Sequence, residues 1–337
     1  MATDSKLDRG QILQSAAGFR FACVLGAAAE LDLFTLLGDA ALSAEHLAGQ
    51  LKTNLRATTI LLDALAALGL LDKQEHHYSV PAELRPLLAA DSPESILPMI
   101  LHQMNLVRNW SQLARVVKSG EPAVHQPSIR GAEGDRAAFI GAMHAISAPM
   151  ADPLVARLGP PQFRHLLDVG GASGTWTLAL LRGSPGGRAT IFDLPDAVEQ
   201  ARSRMAETGF LDRVSFAAGD FYDDDLPGGA DLVWLSAIVH QHSREDSREL
   251  FEKIHAALVP GGRLLIRDIV MEPDRVRPVD GALFAVNMLV ATAQGGTFTF
   301  DEFVEDLHAA GFVDVKLLIK DAWMNSVIEA RRNTASA

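Results

Sequence analysis

Carboxylates and histidines recur wherever an apolar run of this chain ends, and that pattern carries its chemistry. Asp193 closes Thr190-Ile191-Phe192-Asp193, Asp220 follows Gly219, His240 and His242 follow the run reaching Leu235-Ser236, and Asp268 closes another apolar run. If those runs are parallel strands, their carboxyl ends share one sheet edge, where ligands bind in open α/β sheets. A carboxylate such as Asp193 can accept both hydroxyls of a ribose there; the competing role is an N-cap for a helix beginning near Pro195. Asp220 can accept from an adenine amino group while Phe221 covers a ring face; the competing role is a local turn. An imidazole titrates near neutrality, so His240 can take a proton from a phenol or enol.

The run His165-Leu166-Leu167-Asp168-Val169-Gly170-Gly171-Ala172-Ser173-Gly174 reads as a buried strand turning tightly into a helix. Such a turn brings bare backbone N–H groups and a helix N-terminus to a ligand. The dinucleotide spacing G-x-G-x-x-G fails from Gly170, where Ala172 and Thr175 occupy the later positions, and from Gly171, where Ser173 and Trp176 do. A pyrophosphate cradle is therefore disfavoured. A strand-end acid with a glycine loop of other spacing suits a nucleoside without phosphates, of which S-adenosylmethionine is the common one. His240-Gln241-His242 offers a His-x-His pair, but no cysteine or carboxylate cluster completes it, so no metal site is expected.

The elements that must position these groups fall into two halves, 1–150 and 151–337. The first reads as helices in succession. One amphipathic element carries Phe21, Val24, Leu25, Ala28, Leu31 and Leu33-Phe34 at helical spacing. Ser43 caps a helix to Leu51, Asn54 caps another to Gly69, and a short hairpin spans 71–80 before Pro81; helix, helix and hairpin make a winged helix. From residue 163 strands alternate with helices, with strands expected at 165–169, 189–193, 214–218, 230–235, 263–269, 313–319 and 325–331. Pro195 opens a helix, Ser243 with Asp246 makes a capping box for the helix ending near Leu258, and Pro260-Gly261-Gly262 reads as a turn. The fold class is α/β: a doubly wound, Rossmann-like sheet behind a helical winged-helix domain, with an antiparallel strand at one edge.

Composition narrows the partners. The 337 residues carry a formal net charge of −12, and 48% are hydrophobic. Residues 1–100 hold seven Lys/Arg against twelve Asp/Glu, so the winged helix would repel a phosphate backbone. Neither nucleic acid nor an anionic membrane is an expected partner. The one cysteine, Cys23, excludes an intramolecular disulfide and reads as a buried structural thiol. The acidic start Met1–Asp8 has no apolar leader, the apolar stretch Ala57–Leu71 is too short to cross a bilayer, and a cytoplasmic protein with an unstructured tail after Arg332 is expected.

At these residues the chain resembles the S-adenosylmethionine-dependent small-molecule O-methyltransferases of the caffeic-acid and hydroxyindole type, over nearly its whole length. The motifs, in order, are Asp168-Val169-Gly170-Gly171-Ala172-Ser173-Gly174, Phe192-Asp193-Leu194-Pro195, Gly219-Asp220-Phe221-Tyr222 and Leu235-Ser236-Ala237-Ile238-Val239-His240. The resemblance implies S-adenosylmethionine as cofactor, held by Asp168, Gly170, Gly171, Gly174, Asp193, Leu194, Gly219, Asp220, Phe221 and Ser236. It implies His240 as general base, Asp268 as an acid flanking it, and a homodimer made through the front half. Phe139, Met143 and His144 resemble the family's pocket helix, as do Asn287 and Met288; plain core packing is the competing role for each. Trp110 is a further apolar candidate.

Two departures matter. The family follows its histidine with Asp-Trp, whereas Gln241-His242 stand here, with His242 read as a second polar pocket wall or a solvent-exposed side chain. A second flanking acid should fall just after Gly295-Gly296, where Thr297-Phe298-Thr299 stand instead. The expected reaction is methyl transfer to a hydroxyl of an aromatic or polyketide-like small molecule. The alternatives are non-methylating use of the same cofactor (hydroxylation, decarboxylation or ring closure) and a winged-helix transcriptional regulator.

Overall fold

A computed structural model describes residues 7–334, so 1–6 of the acidic start and 335–337 of the tail lie outside the described residues. The described residues form two compact units, one within 1–108 and 125–145 and the other within 109–124 and 146–337. The sequence reading drew one boundary at residue 150. The units instead divide inside helices, because α7 (Leu97–Trp110) and α9 (Gly131–Leu158) each contribute to both.

In the first unit, α1 (Arg9–Ala16), α2 (Phe19–Glu30) and α3 (Leu33–Leu37) replace the single long element expected. Asp32 takes a left-handed conformation (φ 58°), which ends one helix and redirects the next. Ser43 caps α4 (Ala44–Leu51) by accepting from His46 N, and Asn54 caps α5 (Leu55–Ala67) by accepting from Ala57 N. A strand β1 (Leu42–Ser43), too short to signal itself, adds to the hairpin of β2 (Asp72–Gln74) and β3 (His77–Ser79). The short α6 (Arg85–Leu88) follows. Leu33, Phe34, Leu47, Leu62 and Leu65 bury completely in this unit's core. Cys23 is half-buried rather than buried. Ile12, Leu13, Phe19 and Phe21 stay exposed on α1 and α2, and the stretch Arg9–Glu30 is apolar and long enough to cross a membrane by composition alone.

The second unit begins with α8 (Leu113–Ser119) and is built on a seven-stranded sheet. Its strands are β4 (His165–Val169), β5 (Arg188–Asp193), β6 (Val214–Ala218), β7 (Ala230–Ser236), β8 (Leu258–Asp268), β11 (Phe312–Ile319) and β12 (Ser326–Arg332). The order is β11-β12-β8-β7-β4-β5-β6, parallel from β8 to β6, with β12 antiparallel to both its neighbours. The antiparallel strand is thus one place in from the edge. Pro260-Gly261-Gly262 falls within the span of β8, as an irregularity rather than a separate turn: Gly261 stands at φ +76° and the register with β7 shifts between Leu258 and Arg263. A parallel pair, β9 (Val270–Met271) and β10 (Phe298–Thr299), stands apart from the main sheet. The helices α10 (Thr175–Gly183), α11 (Pro195–Ala206), α12 (Arg244–Ala257), α13 (Val279–Ala291) and α14 (Phe300–Ala309) complete the unit. One core contains Val233, Phe251 and Phe303, and another contains Trp176, Trp234 and Leu265, in keeping with alternate residues of each strand facing opposite ways. The order of strand addition reverses at β4, with β5 and β6 on one side and β7 and β8 on the other, which places the glycine loop at the switch point where such sheets bind ligands.

Candidate active site

The glycine loop is shaped by what lies behind it. Gly170 stands at φ +67° and a Cβ there would come within 2.6 Å of Ile238 Cδ1; Gly174, at φ +72°, would meet Met205 Cε at 2.5 Å. Only glycine combines that backbone with that clearance. The Asp193 carboxylate fastens the loop to the next strand: Oδ2 accepts from Ala172 N at 2.7 Å and Oδ1 from Leu194 N at 2.7 Å. It does not cap α11, whose N-cap is Leu194. Each oxygen has taken one N–H and keeps acceptor capacity for a hydroxyl. Burial raises the Asp193 carboxyl above its ordinary range, opposed by the Ala172 and Leu194 N–H groups.

Asp168 is 1% exposed and accepts from Thr177 Oγ1 at 2.5 Å. Burial pushes its carboxyl up to about 7, with the nearby Asp193 adding to the rise and the Thr177 bond opposing it. A Cβ on Gly171 would stand 2.9 Å from Asp168 Cγ, so this acid lies directly beneath the loop. It supports the loop from below.

At the next strand exits, a capping box between Ser243 and Asp246 starts α12 and fixes the short turn Val239–Gln241 ahead of it. His240, 6% exposed, gives its Nδ1 to Asp268 Oδ1 at 2.8 Å, and its backbone N lies 3.3 Å from Asp268 Oδ2. Asp268 Oδ1 also accepts from Ile269 N at 2.7 Å. An ionised carboxylate can only accept, so Nδ1 carries the proton and the neutral ring keeps its lone pair on Nε2. That nitrogen has no hydrogen-bond partner among the described residues. Phe284 of α13 stands edge-on to the ring with centroids 4.8 Å apart, and His240 O accepts from Gly296 N at 2.9 Å. The arrangement is a proton acceptor held in one tautomer by a buried acid.

Beyond β6, Asp220 Oδ1 accepts from Tyr222 N at 3.0 Å, the local turn weighed as its competing role. Lys253 gathers the loop by donating to the carbonyls of Phe221, Tyr222 and Asp224 at 2.7, 2.9 and 3.0 Å. His242 is not solvent-exposed but 5% exposed, bonded through Nδ1 to the Tyr222 hydroxyl and edge-on to the Phe221 ring. The cause is the aromatic pair at 221–222, which closes over it. Burial lowers its pKa.

Comparison with known proteins gives this geometry its setting. Residues 110–313 match the model of an O-methyltransferase domain, and residues 13–82 match that of an O-methyltransferase dimerisation domain. The chain belongs to the O-methyltransferase family. It is 34% identical to the tetracenomycin polyketide synthesis 8-O-methyl transferase of Streptomyces glaucescens, covering 91% of this chain and 92% of that protein. It is 31% identical to the 3-hydroxy-5-methyl-1-naphthoate 3-O-methyltransferase of Streptomyces sahachiroi, covering 87% and 86% respectively. Among solved structures, human N-acetylserotonin methyltransferase in complex with S-adenosylmethionine superposes with a TM-score of 0.78 at 27% identity, over 98% of this chain and 100% of that one. The enzyme is an S-adenosylmethionine-dependent O-methyltransferase, which sets aside the transcriptional regulator.

The enzyme's own residues suit that cofactor: a loop cleared of Cβ atoms, a carboxylate with free acceptor sites for a ribose, and no phosphate spacing. Leu194 is 52% exposed beside Asp193, and Gly219 donates its N–H to Asp193 O at 3.0 Å. Ser236, half-buried, accepts from Arg267 at 3.1 Å. Of the acceptor-wall candidates, Phe139 and Met143 lie one helical turn apart on α9 with His144 beside them, in the first unit. Asn287 lies on α13 in the second unit, one turn from Phe284, with its Oδ1 taken by Trp110 Nε1 at 2.9 Å. Trp110 is thus a polar partner as well as an apolar wall. Met288 is buried and packs.

Thr297 stands where the second acid was sought. It is buried, its hydroxyl directed to Gly281 O at 3.4 Å, and it supplies no carboxylate. Sequence reasoning missed Phe284 and Arg267, and it named Tyr222 and Gly295 within motifs without giving either a role. Gly295 was readable only as part of a pair; a Cβ there would come within 2.6 Å of His240 O. Arg267 carried a plainer signal, a cation next to Asp268 inside the otherwise apolar run Leu264–Val270. Among the described residues no group of three or more His, Cys, Asp or Glu is arranged to hold a metal.

Proposed function

We propose that the enzyme transfers a methyl group to a hydroxyl of an aromatic or polyketide-like small molecule, with His240 as general base and Asp268 orienting it. The observation that carries this reading is the His240–Asp268 bond of 2.8 Å, which leaves Nε2 as the ring's acceptor. The two Streptomyces relatives, named for polyketide and naphthoate O-methylation, support the acceptor class.

The cofactor supplies an electrophilic sulfonium methyl group. Asp193 receives the ribose hydroxyls, the glycine loop 170–174 lets the nucleoside approach the backbone, and Gly219, Asp220 and Phe221 form the adenine end. Phe284 and Asn287 face the acceptor, which they hold so that its oxygen lines up with the methyl group. As the new C–O bond forms and the methyl C–S bond breaks, leaving the neutral thioether S-adenosylhomocysteine, the hydroxyl proton passes to Nε2 of His240, and Asp268 offsets the imidazolium charge through Nδ1–H. In-line displacement needs alignment more than covalent help. After release, the proton returns to solvent.

The first unit serves dimerisation and capping of the acceptor, and the enzyme works as a homodimer in the cytoplasm. The exposed Leu13, Phe19 and Phe21 form part of that interface, rather than a face for membrane or nucleic acid, in keeping with the dimerisation-domain match and the acidic charge.

His240→Ala tests the assignment. Turnover should fall roughly 10²–10⁴-fold while S-adenosylmethionine affinity by calorimetry stays within about a factor of two. Near-wild-type turnover would remove His240 from the mechanism.

A further inference from the structure

Arg267 is a buried cation with no acid to answer it. It sits on β8 at 2% exposure, and no carboxylate lies within ion-pair distance of it among the described residues. Its Nε and Nη2 both go to the neutral Asn325 Oδ1, at 3.0 and 2.8 Å, and its Cζ lies over the Trp176 ring, 4.4 Å from the centroid. Its remaining bond runs from Nη1 to Ser236 Oγ at 3.1 Å. Burial pulls the guanidinium down to about 10, with Asp268 and Asp321 opposing at longer range. Taking a charge out of water is costly, and an apolar side chain of similar volume is usually at least as stable. Packing alone therefore leaves this residue unexplained.

Its place in the sheet supplies a reason. Ser236 and Arg267 are register partners at the ends of β7 and β8, and Val169 of β4 pairs with Leu235. Gly170 and Ser236 therefore stand level at the ligand edge. Trp176, which the guanidinium covers, lies two residues beyond Gly174. Across the edge the strands run β8, β7, β4, β5, β6. A nucleoside with its ribose at Asp193 on β5 and its adenine beyond β6 must extend its other arm over β4 toward β7. Ser236 waits there, half-buried, accepting from Arg267 and with no acceptor for its own hydroxyl proton among the described residues.

We propose that Arg267, acting through the Ser236 hydroxyl, receives the α-carboxylate of the cofactor's methionine arm. Arg267 is a positioning residue: it polarises Ser236, which donates to the carboxylate, and it supplies the charge that makes this end prefer an anion. The proposal rests on the cofactor reading given above, with ribose at Asp193.

Calorimetric titration with S-adenosylmethionine and with its decarboxylated analogue tests it on wild type, Arg267→Met and Ser236→Ala. Wild type should bind the carboxylate-bearing cofactor about ten- to a hundredfold tighter, the worth of a charge-assisted hydrogen bond. Both variants should lose most of that preference while binding the decarboxylated analogue within about twofold of wild type, and Arg267→Lys should restore part of it. Arg267→Met fills similar volume against Trp176; should it fail to fold, Ser236→Ala carries the same comparison. A preference that survives in the variants, or equal weakening of both ligands, overturns the proposal and leaves Arg267 structural. Wild type that binds both ligands equally overturns it while leaving the cofactor site standing; wild type that binds neither overturns both.

Discussion

Asp268→Asn separates the tautomer-holding role of Asp268 from its charge. Asp268 Oδ1 takes two donors, His240 Nδ1–H at 2.8 Å and Ile269 N at 2.7 Å, while Oδ2 takes only the longer contact from His240 N at 3.3 Å. An amide in that place keeps its carbonyl toward the two short bonds, because its NH₂ there would meet two donors. The ring therefore keeps its proton on Nδ1 and its lone pair on Nε2. What disappears is the negative charge facing the imidazolium that forms as the acceptor loses its proton. A hydrogen bond to a charged group is worth about 1.5–3 kcal/mol against about 0.5–1.5 for a neutral one. The difference, about 1–2 kcal/mol, corresponds to a roughly 5- to 30-fold loss of kcat. Single-turnover rates with a phenolic acceptor at saturating cofactor, alongside calorimetry, read it directly. S-adenosylmethionine affinity should stay within about twofold of wild type, since Asp268 faces the base. Asp268→Ala strips both short bonds and should cost more, though less than His240→Ala. Unchanged kcat in Asp268→Asn, or a loss of cofactor affinity equal to the loss of rate, would refute this division of labour.

Asp193→Ala should weaken S-adenosylmethionine binding by about 1.5–3 kcal/mol, the worth of hydrogen bonds to a charged acceptor, and equal calorimetric affinities would remove Asp193 from the ribose. Asp168 sets a pH dependence of stability: its folded value of about 7 lies above the ordinary 3.8, so the folded chain holds a proton that the unfolded chain releases. Stability should therefore fall as pH rises from roughly 4 to 7 and stay lower above that. Asp168→Asn, which keeps an acceptor for Thr177, should melt higher than wild type at pH 8 and gain less at pH 5; parallel melting curves would contradict this. In light scattering at micromolar concentration the enzyme should show twice the chain mass, with no binding to random duplex DNA at moderate salt; a monomer, or salt-sensitive DNA binding, would contradict the proposed assembly.

Most of the catalytic sheet was legible because its strands are apolar runs ended by glycine, proline or an acid. All seven strands lie within a residue or two of their expected spans, except that β8 begins five residues early. There Pro260-Gly261-Gly262 spells a turn, and the strand is irregular at that point: Gly261 takes a left-handed backbone at φ +76° and the register with β7 shifts between Leu258 and Arg263. The front half was legible at its caps, since Ser43 and Asn54 each satisfy a helix N-terminus in ways local sequence dictates. Its breaks were not, because Asp32 adopts a left-handed backbone that no residue pattern announced.

The site divides along the same line. Asp193, His240 and Asp268 could be placed because a strand exit fixes where a side chain emerges. The state of His242 could not, since it depends on Tyr222 and Phe221 closing over it from another loop. Nor could the partners of Arg267, which come from β7, α10 and the loop before β12. Contacts made between elements leave little trace in local spacing.

Methyl transfer to oxygen is most directly tested by following the methyl carbon itself. The enzyme is incubated with S-adenosylmethionine carrying a ¹³C-labelled methyl group and with a panel of hydroxylated aromatic and polyketide-like acceptors, and the products are read by NMR. The expected product carries a labelled carbon with the shift of an O–CH₃ group, absent with His240→Ala over the same time. Label on carbon or nitrogen, or an acceptor chemically changed without any label, would contradict it.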